Sequence, residues 1–116
     1  MNLFIYHNPR CSKSRETLAL LEQQGLEPEI IKYLDTPPDA EQIKVLLSQL
    51  GMSSARELMR TKEELYKTLE LAGVTDEDAL IAAMTANPKL IERPIVVCNG
   101  KAALGRPPEQ VLDILK

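Results

Sequence analysis

With 116 residues, 44% apolar and 27% charged, the chain has room for one modest core and the composition of an ordinary globular domain. Three Tyr, one Phe and no Trp leave little aromatic surface for stacking on bases, and a formal net charge of −3 opposes a polyphosphate partner, so nucleic acid is not expected. Two widely separated cysteines and one histidine suggest neither a disulfide scaffold nor a metal site, and no apolar run is long enough to span a bilayer.

The stretch MNLFIYHNP lacks a basic leader and a cleavage-site pattern, which makes a reducing cytoplasm the expected compartment. Its apolar run, Leu3 to Tyr6, reads as a strand broken by Asn8-Pro9. From Ser12 to Gln24, Leu18, Leu20 and Leu21 recur at near-helical spacing, with Gly25 as a stop. Glu29 to Leu34 reads as a second strand. Strand, helix and strand within about 34 residues is the size of a βαβ unit with a parallel pair.

The pattern then changes. After the turn Asp35-Thr36-Pro37-Pro38, an amphipathic helix runs from Asp39 to Gly51. Ser53-Ser54 can cap a short helix over Ala55 to Arg60. Thr61 with Glu64 has capping-box spacing for a helix over Lys62 to Leu71, and Thr75 with Asp78 opens another over Asp76 to Ala86, ended by Asn87-Pro88. Residues 39 to 91 therefore form a helical block without a strand.

The last quarter returns to strands. RPIVVC is β-branched and apolar enough to be buried on both faces. Asn99-Gly100 signals a hairpin, Lys101 to Leu104 the returning strand, and Gly105-Arg106-Pro107-Pro108 the entry to a final helix. This order predicts one domain over 1–116: an α/β, thioredoxin-like fold with a mixed sheet, built as β-α-β, a helical insertion at about 39–91, a β-hairpin and a C-terminal helix.

In such a fold the loop after the first strand feeds the first helix, where Cys11 lies. A thiol attacks as thiolate, and a helix N-terminus favours the thiolate through unpaired N–H groups and the positive end of the dipole. The same groups make a site for a tetrahedral oxyanion. Spacing alone leaves Cys11 open between a reactive thiolate and a small residue at a helix start. Ser14 stands where a Cys-x-x-Cys pair would carry its second thiol, so any resolving thiol must come from glutathione, a partner protein or Cys98. Cys98 closes the buried-looking PIVVC run and is a poor candidate. His7, just past the strand, is a candidate to stabilise the thiolate. Arg93-Pro94 and Arg106-Pro107 each set a guanidinium before a proline; arginine suits bidentate oxyanion capture, and Pro94, before a strand, is the cis-proline candidate.

Four segments, YHNPRCSKSRETL, ARELMRTKEELY, NPKLIERPIVV and GRPPEQVLDIL, thread the chain in order. Through them the chain resembles the arsenate reductases of the glutaredoxin- and glutathione-dependent, thioredoxin-fold class, with a cysteine loop closest to the less characterised sister branch. The resemblance implies a mechanism and a site. Cys11 would be the nucleophile on arsenate, with His7 lowering its pKa and Ser14 hydrogen-bonded to it. Arg60, Arg93 and Arg106 would hold the oxyanion, and Pro94 would be cis. Glutathione would be the reductant and glutaredoxin the resolving partner, with no bound cofactor, no metal and a monomeric chain. Two alternatives belong to the same fold family: a glutathione-linked thiol transferase, and a redox-regulated RNA-polymerase-binding protein, whose loop usually carries the second cysteine that Ser14 replaces.

Overall fold

The computed structural model describes residues 2–115. They divide into two compact units: the chain up to Thr36 together with the chain from Arg93 onward, and Pro37–Glu92 between them.

The first unit is built on four strands: β1 (Leu3–Tyr6), β2 (Glu29–Ile31), β3 (Ile95–Cys98) and β4 (Lys101–Leu104). Their order in the sheet is β2-β1-β3-β4. β2 pairs parallel to β1, and β1–β3 and β3–β4 are antiparallel, so the sheet is mixed. The fold is thioredoxin-like, as expected. β3 is buried at all four positions, which explains its continuous β-branched run. Asn99 and Gly100 have φ of 50° and 84°, the left-handed pair that a tight two-residue hairpin needs.

Helix α1 (Ser12–Gln23) and a C-terminal 3-10 segment (Pro108–Leu115) supply the rest of this unit's core. Leu3 and Ile5 of β1, Val96 and Cys98 of β3, Leu21 of α1 and Val111 of the last segment form one buried cluster. Cys98 is only 1% exposed within it, so its sulfur is not available to resolve a disulfide at a distant loop.

Two expectations in this unit shift. β2 ends at Ile31 rather than Leu34, because the Asp35 and Thr36 N–H groups both donate to the Lys32 carbonyl and turn the chain away. The final helix is 3-10 rather than α. Its entry sets that winding, since Gln110 N–H donates to Pro107 O, an i to i+3 bond.

The second unit holds α2 (Ala40–Leu50), α3 (Glu64–Thr68) and α4 (Glu77–Ala86) with short 3-10 turns between them, and no strand among its described residues. An isolated bridge joins Met59 to Ile91. Asp39 caps α2 in a full capping box with Gln42, and Ser54 does the same with Glu57 for the 3-10 turn Ala55–Leu58. The two other capping boxes do not form. α3 starts at Glu64 because Glu63 N–H donates to Arg60 O and their side chains pair, making residues 60–63 a turn; Glu70, at φ 54°, stops the helix early. At α4 the cap is Asp76, and Glu77 instead accepts hydrogen bonds from Ser54 Oγ and Ala55 N–H at 2.9 and 2.7 Å. Those donors hold the Glu77 carboxyl below the usual carboxylate range.

Candidate active site

Strand register decides what meets at one end of the sheet. Tyr6 pairs with Ile95, and Ile95 with Leu104. The chain leaving β1 (His7 onward), the chain entering β3 (Arg93-Pro94) and the chain leaving β4 (Gly105-Arg106) therefore share one edge. Cys98 lies at the far end of β3, three residues or about 10 Å away.

Gly105 welds this edge together. Its N–H donates to Pro94 O at 3.0 Å, and a Cβ there would stand 2.3 Å from Thr17 Oγ1 and 2.7 Å from Pro94 Cγ. Only glycine lets β4, Pro94 and α1 approach so closely. Gly105→Ala must push α1 away from Pro94, and we expect a loss of about 1–3 kcal/mol of stability, read as a lower midpoint in denaturant unfolding. An unchanged midpoint would show that Thr17 can move aside. Arg106 adds a second tie, its Nε donating to Arg93 O at 2.8 Å. Both Arg93–Pro94 and Arg106–Pro107 are cis; the second was not anticipated from the sequence.

Cys11 is the N-cap of α1, at φ −93° and ψ 125°, and 9% exposed. Asn8, Pro9 and Arg10 make the turn that delivers it. Cys11 N–H donates to Asn8 O at 3.0 Å, Arg10 N–H to Asn8 Oδ1 at 3.0 Å, and Arg15 Nη1 to Pro9 O at 3.0 Å. The thiol makes no capping hydrogen bond of standard geometry, yet its surroundings suit a charged sulfur. Burial on its own pushes the thiol pKa up. The Ser14 N–H, the Arg93 guanidinium, the Ser14 hydroxyl and the Lys13 N–H outweigh it, leaving the thiol below its ordinary value. Ser14 is fully buried, and its Oγ also accepts from Asn8 N–H at 3.4 Å, which fixes the hydroxyl between turn and helix.

His7 directly follows β1. It is 5% exposed, its N–H donates to Ile31 O at 2.8 Å, and its Nδ1 is buried without a hydrogen-bond partner. Burial first, then the charges of Lys32 and Arg15, push its pKa down. A positive charge that favours the Cys11 thiolate is that of Arg93.

The pH consequence has a definite sign. A folded-state histidine pKa below the ordinary value of about 6.5 stabilises the fold above that pH, and the contribution is lost as pH falls through the lowered value. The chain has one histidine, so its imidazole resonance is unambiguous; it should titrate below 6.5. A midpoint at or above 6.5 would contradict the lowered value.

The first unit thus gathers His7, Cys11, Ser14, Arg93, Pro94 and Arg106. Arg60 belongs to the second unit. There its Nη1 lies 2.9 Å from Glu63 Oε2, its Nε 3.5 Å from Glu92 Oε1, and its N–H donates to Leu90 O at 2.7 Å. The sequence did not single out Gly105 and Thr17 as site-forming; a glycine before Arg-Pro reads only as a lead-in to the last segment. No group of three His, Cys, Asp or Glu side chains among the described residues could hold a metal, and no helix is long and apolar enough to cross a membrane.

This mixed sheet, with a single cysteine capping its first helix and a cis-proline opening β3, defines a thioredoxin-like thiol protein. The profile of the ArsC family matches residues 6–114, and the chain belongs to that family. It is 67% identical to an Escherichia coli K12 protein titled "Uncharacterized protein YfgD", over 96% of this chain and 94% of that one. It is 54% identical to an arsenate reductase of Neisseria meningitidis serogroup A, over 96% of each chain. A solved arsenate reductase from Vibrio cholerae superposes with a TM-score of 0.96 at 63% identity, over 98% of both chains.

Proposed function

We propose that this protein is an arsenate reductase that uses Cys11 as a single-thiol nucleophile, with glutathione as reductant and glutaredoxin as the resolving partner. The observation that carries the proposal is the Cys11 sulfur at the start of α1, favoured as thiolate by the Ser14 and Lys13 amides and the Arg93 guanidinium. Relatives at 54% and 63% identity that bear the name arsenate reductase support the substrate.

The thiolate attacks arsenic(V) and forms a sulfur–arsenic bond as one arsenate oxygen leaves as water. A glutathione thiolate then attacks Cys11 Sγ, the sulfur–arsenic bond breaks, and its electron pair stays on arsenic, now arsenic(III). Two thiols have become one disulfide between Cys11 and glutathione, which matches the two electrons gained. A glutaredoxin thiol takes the glutathionyl group and frees Cys11. Ser14, in place of a second cysteine, makes that outside thiol necessary.

Arsenate is a dianion near neutral pH, so a thiolate approaches it only where cations screen the charge. Two unit charges 4 Å apart interact by about 4 kcal/mol at an effective dielectric of 20, so one guanidinium offsets about one such repulsion. Arg93 and Arg106 are the arginines of the sheet unit assigned to the oxyanion; Arg60 enters this role through the family resemblance alone. A monomeric protein in a reducing cytoplasm fits the scheme, since a free thiol must be restored at each turnover.

The test is a coupled assay with glutathione, glutaredoxin, glutathione reductase and NADPH. Arsenate-dependent NADPH consumption is expected. Consumption with glutathione mixed disulfides but none with arsenate would favour the thiol-transferase alternative.

A further inference from the structure

α1 opens against the usual charge preference of a helix. Its first turn has no acidic residue, and Lys13 and Arg15 stand near the end that favours negative charge. Lys13 is offset by Glu16, whose Oε2 lies 3.4 Å from its Nζ. Arg15 has no carboxylate partner among the described residues. It reaches instead to the main chain on either side of the cysteine: its N–H donates to Cys11 O and its Nη1 to Pro9 O, each at 3.0 Å. Helical side chains lean toward the N-terminus, so a long donor one turn after Cys11 is placed to reach back over it.

That bracket matters because the sulfur and the groups that favour its thiolate belong to different pieces of chain. The Lys13 and Ser14 N–H groups are part of α1. Cys11 ends the Asn8–Arg10 turn with extended dihedrals, so its sulfur goes where the turn goes. Asn8 O and Oδ1 accept from the Cys11 and Arg10 N–H groups, which shapes the turn without fastening it to the body of the helix. Two side chains of α1 do fasten it: Ser14 Oγ accepts from Asn8 N–H at 3.4 Å, and Arg15 Nη1 donates to Pro9 O at 3.0 Å. The second is the shorter and, with a charged donor, the stronger kind. We propose that Arg15 is a positioning residue for Cys11: its guanidinium ties the turn to α1 and so keeps the sulfur in register with the Ser14 and Lys13 amides. The inference rests on the function proposed above only for Cys11 as the attacking group. Arg15 holds no substrate in this arrangement. Its charge bears on His7, whereas Arg93 is the cation that favours the thiolate, so the tie acts through geometry.

The test is the pH dependence of Cys11 alkylation by iodoacetamide, an uncharged reagent, in Arg15→Met and Arg15→Lys. Met keeps much of the length and the helix propensity of Arg and removes the donor, while Lys keeps one cationic donor group. Arg15 is exposed, so both variants are expected to fold, with unchanged thermal melts and Cys98 still unreactive. In Arg15→Met the alkylation midpoint should rise and the rate at neutral pH should fall by about 3-fold or more, with Arg15→Lys in between. The difference should persist in about 1 M salt, where the screening length is about 3 Å. An unshifted midpoint in Arg15→Met, a shift that disappears in salt, or an Arg15→Lys no better than Arg15→Met overturns the inference. Unfolding of Arg15→Met, or a newly reactive Cys98, overturns it too, by making Arg15 a prop of the whole unit rather than of the turn. Alkylation needs neither arsenate nor glutathione, so the two proposals fail separately. A protein inert toward arsenate whose midpoint still follows Arg15 keeps this tie; an active reductase indifferent to Arg15 loses only the tie.

Discussion

Cys11→Ser is expected to lower arsenate reduction by at least about 10³-fold while leaving the protein folded. A hydroxyl in place of the thiol stays protonated near neutral pH, because the amides and the guanidinium that favour a thiolate cannot bring an alcohol into that range. Removing a nucleophile from a reactive cluster commonly costs 10³-fold or more. Stability should hold or rise slightly, since Cys11 occupies an N-cap position, where serine is among the preferred residues. The pair of measurements is coupled turnover and a thermal melt. Turnover within 10-fold of the parent would remove Cys11 from the chemistry, and a collapsed melt would move the effect to the fold.

Arg93→Ala should raise the Cys11 pKa and lower kcat/KM for arsenate by about 10²-fold, the usual consequence of losing one oxyanion partner. Arg93 acts on both reactants in this account: its charge favours the thiolate, and its guanidinium screens the incoming dianion. The tie from Arg106 Nε runs to the Arg93 backbone oxygen, so the substitution leaves that link in place. Arg93→Lys should fall between parent and Ala, keeping the charge and losing the planar fork. An Ala variant with an unshifted thiol pKa would detach Arg93 from the sulfur, whatever its effect on arsenate.

Much of this organisation is legible in the sequence because it is local. β1, α1, β3 and the hairpin follow from apolar runs and from punctuation by Pro9, Gly25 and Asn99-Gly100, all acting within a few residues. The Ser14 position announces the missing second thiol directly. The less legible features depend on distant neighbours. Gly105 matters only because α1 and Pro94 meet at its Cα, and nothing in GRPP states that. Thr61 and Thr75 have capping-box spacing, yet Glu63 pairs with Arg60 and Glu77 is taken by Ser54 and Ala55, so tertiary partners outcompete the local caps. The environment of His7 is equally non-local: its burial and the charges of Lys32 and Arg15 that lower its pKa are set by the fold, not by its neighbours in the chain.

The account stands on Cys11 being a thiolate at working pH. The direct measurement is the pH dependence of iodoacetamide alkylation, followed by mass spectrometry on the peptide containing Cys11, with Cys98, 1% exposed, as the internal unreactive thiol. Alkylation rises with the thiolate fraction and levels off above the pKa. The expected midpoint lies below the ordinary thiol value of about 8.5. A midpoint at or above 8.5 would contradict the activated thiolate, and with it the mechanism built on it.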